Sequence, residues 1–267
     1  MVPNWYNKAE EMFLKGDTYA DIGRAIDVDR KRVSYWIRKK GHKTDPKRIR
    51  NTKTISRKYH FKEDIFETIN TEEKAYWLGF LYADGNVSEY KNDISVGLAE
   101  KAAEHLSKLK MFLQTNAPIK EKKKKHKNKT YIGYSLTVTS QQTKKDLIDK
   151  GCMPRKSINL SFPDKNQVPK NLLPHFVRGY FDGDGSVTHA NKGRQISAEI
   201  LGTREFIEEL IEWVGVDVNI HSFKHSPTTF RVQCFGPKAE VFFRKIYQNA
   251  NVSLNRKYER YVNFRPS

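Results

Sequence analysis

Cysteine is scarce. Only Cys152 and Cys234 occur in the 267 residues, far apart. They match no zinc-ligand spacing and are too few for a disulfide framework. Both read as small buried hydrophobes in a reducing compartment, so the expected location is cytoplasmic. Long apolar runs are missing as well. No segment has the length and apolarity of a membrane span, and no amino-terminal stretch reads as a signal peptide. Acidic residues are the third shortage: 31 Asp and Glu stand against 49 Lys and Arg, a formal charge of +18. A soluble basic protein can simply show such charge to water. Here it runs through the whole chain and is interleaved with 13 Tyr and 4 Trp, which points to a polyanion as partner. An acidic membrane surface is the rival polyanion, and the 37% apolar content is enough for a substantial core.

What is present is a repeat. Tyr76 to Val87 reads YWLGFLYADGNV, and Phe176 to Val187 reads FVRGYFDGDGSV. Aligned without a gap, they share Gly79 with Gly179, Asp84 with Asp184, Gly85 with Gly185 and Val87 with Val187. Tyr76, Gly79, Phe80 and Ala83, like their counterparts, run i, i+3, i+4, i+7 and so share one side of a helix. Small residues four apart let two helix backbones approach closely. The expectation is two packed helices, each ending in an acid followed by glycine. Facing carboxylates are costly unless a cation sits beside them. An Asp-Gly pair is also an ordinary helix end or turn, needing no metal.

Each motif is followed by the same order of elements. After Gly85 come strands over 87–90 and 94–98, a helix over 102–115, a hairpin over 119–124 and 130–139, and a helix over 140–149. After Gly185 come strands over 187–190 and 194–201, a helix from Thr203 to Val214, a hairpin over 218–224 and 229–235 with Ser226-Pro227 in its turn, and a helix from Gly236-Pro237 to about Asn249. Lys156 falls 72 residues after Asp84, and Lys257 falls 73 after Asp184. The spacing supports a duplicated unit.

The first 42 residues read as a separate unit. Tyr6 to Lys15 form a helix broken by Gly16-Asp17. Thr18 caps a second helix, with Asp21 at the capping-box position. Residues 30–40, RKRVSYWIRKK, make a third helix with Val33, Trp36 and Ile37 inward and Arg30, Lys31, Arg32, Ser34, Tyr35 and Arg38 outward. A small helical cap with a solvated basic face is the plain reading. The order is also similar to resolvase-type helix-turn-helix domains, a resemblance that implies the last helix enters a DNA major groove.

The duplicated motif resembles that of the LAGLIDADG homing endonucleases, in their monomeric, two-motif form. The resemblance implies an α+β fold: two pseudo-symmetric αββαββα repeats forming a DNA-binding saddle, here preceded by a small all-α helix-turn-helix domain. The corresponding boundaries are 1–42 for the helix-turn-helix, 43–68 for a basic linker, 69–156 for the first repeat, 157–170 for the inter-repeat linker and 171–267 for the second repeat. It implies double-strand hydrolysis of DNA at a long pseudo-palindromic site, leaving four-nucleotide 3′ overhangs, by a protein working as a monomer. Mg²⁺ is the implied cofactor, held by Asp84 and Asp184 with the carbonyls of Ala83 and Gly183. Lys156 and Lys257 resemble the basic residues beside the family's metal centre. Glu199 is a candidate for ordering water, with Gly97, Leu98 or Glu100 as its counterpart in the first half. Asp182 faces Tyr82, a cap, outer-sphere or plain surface position.

Strand ribbons fit the major groove. The candidate DNA contacts are Lys91, Lys120, Lys122, Lys124, Lys129 and Tyr131 in the first half, Lys192, Arg194, Gln195, His221, Lys224 and Arg231 in the second, and Arg48 and Arg50 in the linker. The tip over 120–129 is equally a loose, solvated hairpin end, and the linker equally a tether. Two other functions share the fold: a regulator that binds DNA without cutting, and an intron maturase acting on RNA. The helix-turn-helix favours duplex DNA, because the A-form major groove resists side chains. An intein-borne nuclease fits poorly with Met1-Val2 and Pro266-Ser267 at the ends.

Overall fold

The computed structural model describes residues 2–42, 58–127, 129–223 and 226–264. Two compact units emerge, Met1–Lys58 and Tyr59–Ser267. In the first, α1 (Tyr6–Leu14), α2 (Tyr19–Ala25) and α3 (Arg30–Lys39) pack around Tyr6, Ala9, Phe13, Tyr19, Ile22, Val33 and Ile37. Thr18 Oγ1 accepts from Asp21 N at 3.2 Å and donates to its carboxylate at 2.5 Å, so the capping box forms as the sequence suggests. Asp29 caps α3 through Lys31 N. Gly23 lets the turn press in: a Cβ there would lie 2.5 Å from the Val28 carbonyl.

The second unit is built twice from one plan. The first copy runs α4 (Glu72–Asp84), β1 (Gly85–Val87), β2 (Asp93–Ala99), α5 (Ala103–Phe112), β3 (Lys120–His126), β4 (Lys129–Thr139), α6 (Gln141–Asp149) and α7 (Lys156–Asn159). The second runs α8 (Leu173–Asp184), β5 (Gly185–Ala190), β6 (Gln195–Gly202), α9 (Arg204–Val214), β7 (Ile220–Phe223), β8 (Ser226–Phe235), α10 (Pro237–Tyr247) and α11 (Asn255–Val262). Each sheet is antiparallel and four-stranded, in the orders β1-β2-β4-β3 and β5-β6-β8-β7. The class is α+β: two pseudo-symmetric repeats, each a sheet flanked by helices, in the two-lobed saddle arrangement, with small amino-terminal helices before them.

The helices α4 and α8 form the centre. Residues 75–83 of α4 are buried without a break, as in a helix surrounded by protein. Gly79 and Gly179 explain the approach. A Cβ on Gly79 would sit 1.9 Å from the Phe176 carbonyl, and one on Gly179 would sit 1.9 Å from the Tyr76 carbonyl. A Cβ on Gly183 would meet that of Ala83 at 2.2 Å. Thr71 caps α4 through Lys74 N, and Pro174 stands in the first turn of α8, where its missing N–H is harmless. A charged clamp joins the copies: buried Arg178 of α8 donates to Glu72 of α4 at 2.5 Å, and to the Ile246 and Val252 carbonyls.

Some boundaries differ from the sequence reading. Most of the lysine-rich stretch is a paired strand: Lys120 to Lys125 pair in register with Ser135 to Thr130. Ser226-Pro227 opens β8 rather than lying in the turn, at an irregularity where a proline costs no ladder bond. The short helices α7 and α11, which carry the two lysines, were not expected, being too brief for apolar periodicity to register.

Candidate active site and nucleic-acid interface

The carboxyl ends of α4 and α8 meet, so Asp84 and Asp184 come together as the motif spacing suggests. A Cβ on Gly183 would lie 3.4 Å from Asp84 N. Asp84 is half-buried, and Asp184 is the more open of the two. Burial, then the charge of Asp184, pushes the Asp84 carboxyl up to about 6, against the pull of Lys156, Lys257 and Arg256. Burial also raises Asp184, opposed by the same two lysines.

Each lysine caps one of the two helix ends. Lys156 Nζ donates to the Leu81 carbonyl at 2.8 Å and to that of Ala83. Lys257, only 2% exposed, donates to the carbonyls of Phe181 (2.7 Å), Asp182 (2.8 Å), Gly183 (3.3 Å) and Gly185 (2.5 Å). Carbonyls at a helix end are unsatisfied and carry negative partial charge, so an ammonium is the natural partner. Burial pulls Lys257 down to about 8 and shifts Lys156 the same way. The Ala83 and Gly183 carbonyls, expected as metal ligands, are therefore already engaged by ammonium groups. A pocket lined by Tyr82, Lys156, Tyr180, Asp184, Thr203 and Thr229 adjoins this centre.

Among the described residues, no group of three or more His, Cys, Asp and Glu side chains gathers that could hold a metal ion. Two hard carboxylates in a partly desolvated recess do suit Mg²⁺, which keeps several waters and takes one or two protein oxygens. The raised Asp84 carboxyl fits that role, because a divalent ion would compensate the desolvation, and after it the repulsion from Asp184, that lift it. In metal-free protein the same strain costs stability. The folded state holds the Asp84 proton more tightly than the unfolded state, so this contribution is lost as pH rises from about 4 to about 6. Allowing for partial solvent screening, Asp84→Asn in EDTA raises stability by about 1–2 kcal/mol near pH 7 and by almost nothing near pH 3.5. Denaturant melts at the two pH values check this, and equal shifts at both would refute it.

Glu199 stands on β6 opposite Ser186 and Gln233 and is paired with Arg231 at 3.4 Å. The first-half residue in the same register is Ser95, opposite Asn86, rather than Gly97, Leu98 or Glu100. Asp182 is no surface residue: it is 1% exposed, and accepts from Tyr76 Oη, Tyr247 Oη and Leu254 N.

Strand alternation sorts the remaining candidates. In the first sheet Ile94, Val96, Leu136 and Val138 face the core. The register therefore puts Lys120, Lys122, Lys124, Lys129 and Tyr131 together on the other face, with Ser95 and Thr137. Lys91 lies in the β1–β2 turn. In the second sheet Gln195, His221 and Arg231 share the outer face with Glu199 and Gln233. Lys192 and Arg194 are exposed at the β5–β6 turn. Arg231 also lies over the Phe223 ring, 5.5 Å from its centroid. On α3, Arg30, Lys31, Arg32, Tyr35 and Arg38 are exposed and Ser34 is half-buried; with Asp29 and Lys39, most of these line one surface concavity. Arg48, Arg50 and Lys224 lie outside the described residues.

Sequence reasoning missed the clamp of Glu72 and Arg178. It also missed the buried chain in which Tyr76 Oη bonds both His105 Nε2 and Asp182, each at 2.8 Å. Burial drives His105 down to about 3, which keeps it neutral. An acid in the second motif helix where the first has Tyr82 was the available signal.

The LAGLIDADG-like domain matches residues 71–150 and 173–246, one span for each copy. No curated protein matches the chain. Among solved structures, the homing endonuclease I-WcaI bound to its DNA recognition sequence aligns at 13% identity and TM-score 0.50, covering 73% of this chain and 90% of the other. The amino-terminal LAGLIDADG domain of DUF199/WhiA aligns at 20% identity and TM-score 0.43, over 73% and 92%. The meganuclease I-SmaMI bound to uncleaveable DNA aligns at 18% and 0.41, over 66% and 85%. No helix of the described residues is long and apolar enough to cross a membrane. The two family spans together cover more than half of the sequence, and they fall on the two copies whose helices meet at Gly79 and Gly179: the chain belongs to the LAGLIDADG-like domain family.

Proposed function

We propose that the protein is a monomeric, Mg²⁺-dependent, site-specific DNA endonuclease that cuts both strands of a long pseudo-palindromic duplex. One observation carries the reading: two helix-end carboxylates converge at the pseudo-dyad with a lysine at each helix end, Lys156 half-buried and Lys257 buried. Mg²⁺ at Asp84 and Asp184 would supply a polarised phosphate oxygen and an activated water. The chain's own residues do the rest. Asp84 and Asp184 would hold the divalent metal, each carboxylate serving one strand, while the Ala83 and Gly183 carbonyls stay with the lysines. Lys156 and Lys257 place positive charge where the pentavalent phosphate gathers negative charge. Glu199, held by Arg231, orders water or reads a base edge in the second half alone, so the two half-sites differ.

The outer sheet faces bind the major groove on either side of the cut. Lysines of the first sheet meet phosphates, and Gln195, Arg231, Gln233 and His221 read base edges. In this reading residues 1–42 are a DNA-binding helix-turn-helix unit, with Arg30, Lys31, Ser34 and Tyr35 toward the groove and Arg32 and Arg38 toward phosphates, and residues 43–68 are a basic arm. The repeats proper are 69–156 and 171–267, joined by 157–170.

The test is incubation with a pooled genomic library in Mg²⁺ and again in EDTA. Discrete double-strand cuts in Mg²⁺ only, mapped as four-nucleotide 3′ overhangs, are the expected result. Gel shifts without cuts would replace this reading with a DNA-binding regulator. On the recovered site, affinity falls steeply with salt, by about 10³-fold or more between 50 and 200 mM. Deleting residues 1–57 shortens the protected footprint at one end. A flat salt response removes the sheet faces as a phosphate-binding surface, and an unchanged footprint removes the amino-terminal contact.

A further inference from the structure

We propose that the residue two places before each acid, Tyr82 in the first half and Asp182 in the second, positions the lysine of its own half. This rests on the reading of Lys156 and Lys257 as the cations beside the scissile phosphates. The two positions coincide in the motif alignment yet carry unlike side chains. Tyr82 Oη donates to the carbonyl of Lys150, the residue that caps the carboxyl end of α6. From there the chain passes through Gly151 and a left-handed Arg155 directly into Lys156. Gly151 makes room for this grip: its φ is +89°, and a Cβ there would fall 2.0 Å from Tyr82 Oη.

The second half reaches the same end with opposite polarity. The buried Asp182 carboxylate accepts from Leu254 N at 2.7 Å, at the start of α11 and three residues before Lys257. Tyr76 Oη at 2.8 Å and Tyr247 Oη at 3.1 Å fix that carboxylate to α4 and α10. Arg178, one turn earlier on α8, holds the Val252 carbonyl at 2.8 Å. The segment that delivers Lys257 is thus gripped twice from the helix that ends in Asp184. The side chains differ because the groups they hold differ. A hydroxyl donates to the carbonyl that closes α6, and a carboxylate accepts from the free N–H that opens α11. Position in the motif fixes the task, and the local backbone chooses the chemistry.

Each substitution therefore loosens one lysine and spares the other. Tyr82→Phe removes a single O–H and keeps the ring. Asp182→Asn keeps the volume but loses an acceptor for three donors. On a supercoiled plasmid carrying the recovered site, both variants accumulate nicked circles in Mg²⁺ with duplex affinity unchanged. In each, one strand is cut about 10- to 100-fold more slowly, and the slow strand of one variant is the fast strand of the other. Equal slowing of both strands, or none, overturns the proposal. Amide hydrogen exchange gives a second readout that needs no activity. Tyr82→Phe speeds exchange over 150–159 and not over 254–262, and Asp182→Asn does the reverse. A uniform rise or no change overturns the proposal, whether or not the protein cuts DNA. Failure of the wild type to cut overturns the nuclease reading instead, and the exchange data still decide the positioning.

Discussion

Asp84→Asn and Asp184→Asn each lower Mg²⁺-dependent double-strand cleavage by about a thousandfold or more, while duplex affinity stays within about threefold. Asparagine keeps the shape of the side chain but removes the anionic oxygen that a hard cation requires. Loss of one ligand from the proposed metal centre would remove charge neutralisation at the phosphate and generation of the nucleophile together, and each of these is worth several kcal/mol. Binding should survive, because the phosphate contacts proposed above lie on the sheet faces, away from the helix ends. The measurement is single-turnover conversion of supercoiled to linear plasmid, beside gel shifts at matched salt. Melting in EDTA separates the roles further. A variant that loses activity while melting no lower than wild type has lost a ligand. One that unfolds has lost a structural helix end, and the metal assignment falls with it.

The two motif helices were legible because their constraint is steric and local. Gly79 and Gly179, four residues before Ala83 and Gly183, announce a close helix crossing with no knowledge of the partner. The alternation of apolar residues likewise announces the sheets, as at Ile94 and Val96 against Leu136 and Val138. What stayed hidden depends on pairs far apart in sequence. Arg178 reads as one more basic residue in a basic chain until α4 brings Glu72 to it across 106 positions. Asp182 reads only as a cap, an outer-sphere group or a plain surface position because its counterpart is Tyr82, and an alignment by residue type cannot show a shared mechanical task. The lysines were found by spacing, but their present engagement was not. Four carbonyls converge on Lys257 because α8 ends beside it, a fact of tertiary packing. Ser95 as the counterpart of Glu199 needed the strand register, since a shift of one residue sends every side chain to the other face.

Gly79→Ala and Gly179→Ala are the most destabilising single-methyl changes expected in the chain, at about 4 kcal/mol or more each. Ordinary overpacking costs about 1–3 kcal/mol because neighbouring side chains can give way. Here the obstacle is a main-chain carbonyl at 1.9 Å on either side, Phe176 O for one and Tyr76 O for the other, and relief requires the helices to separate. Gly215→Ala is the control. Its φ is +77° at the end of α9 with nothing within 4 Å, so only backbone strain applies, about 1 kcal/mol. The two interface changes share one remedy, since moving α4 from α8 relieves both clashes. The double variant is therefore less destabilised than the sum of the singles, which denaturant melts and a double-mutant cycle would measure. Additive costs would mean that each glycine is accommodated separately. The same separation pulls Asp84 from Asp184, so cleavage is lost at temperatures where circular dichroism still reports a folded protein. A Gly79→Ala variant that keeps full activity would show that the carboxylates act without the close crossing.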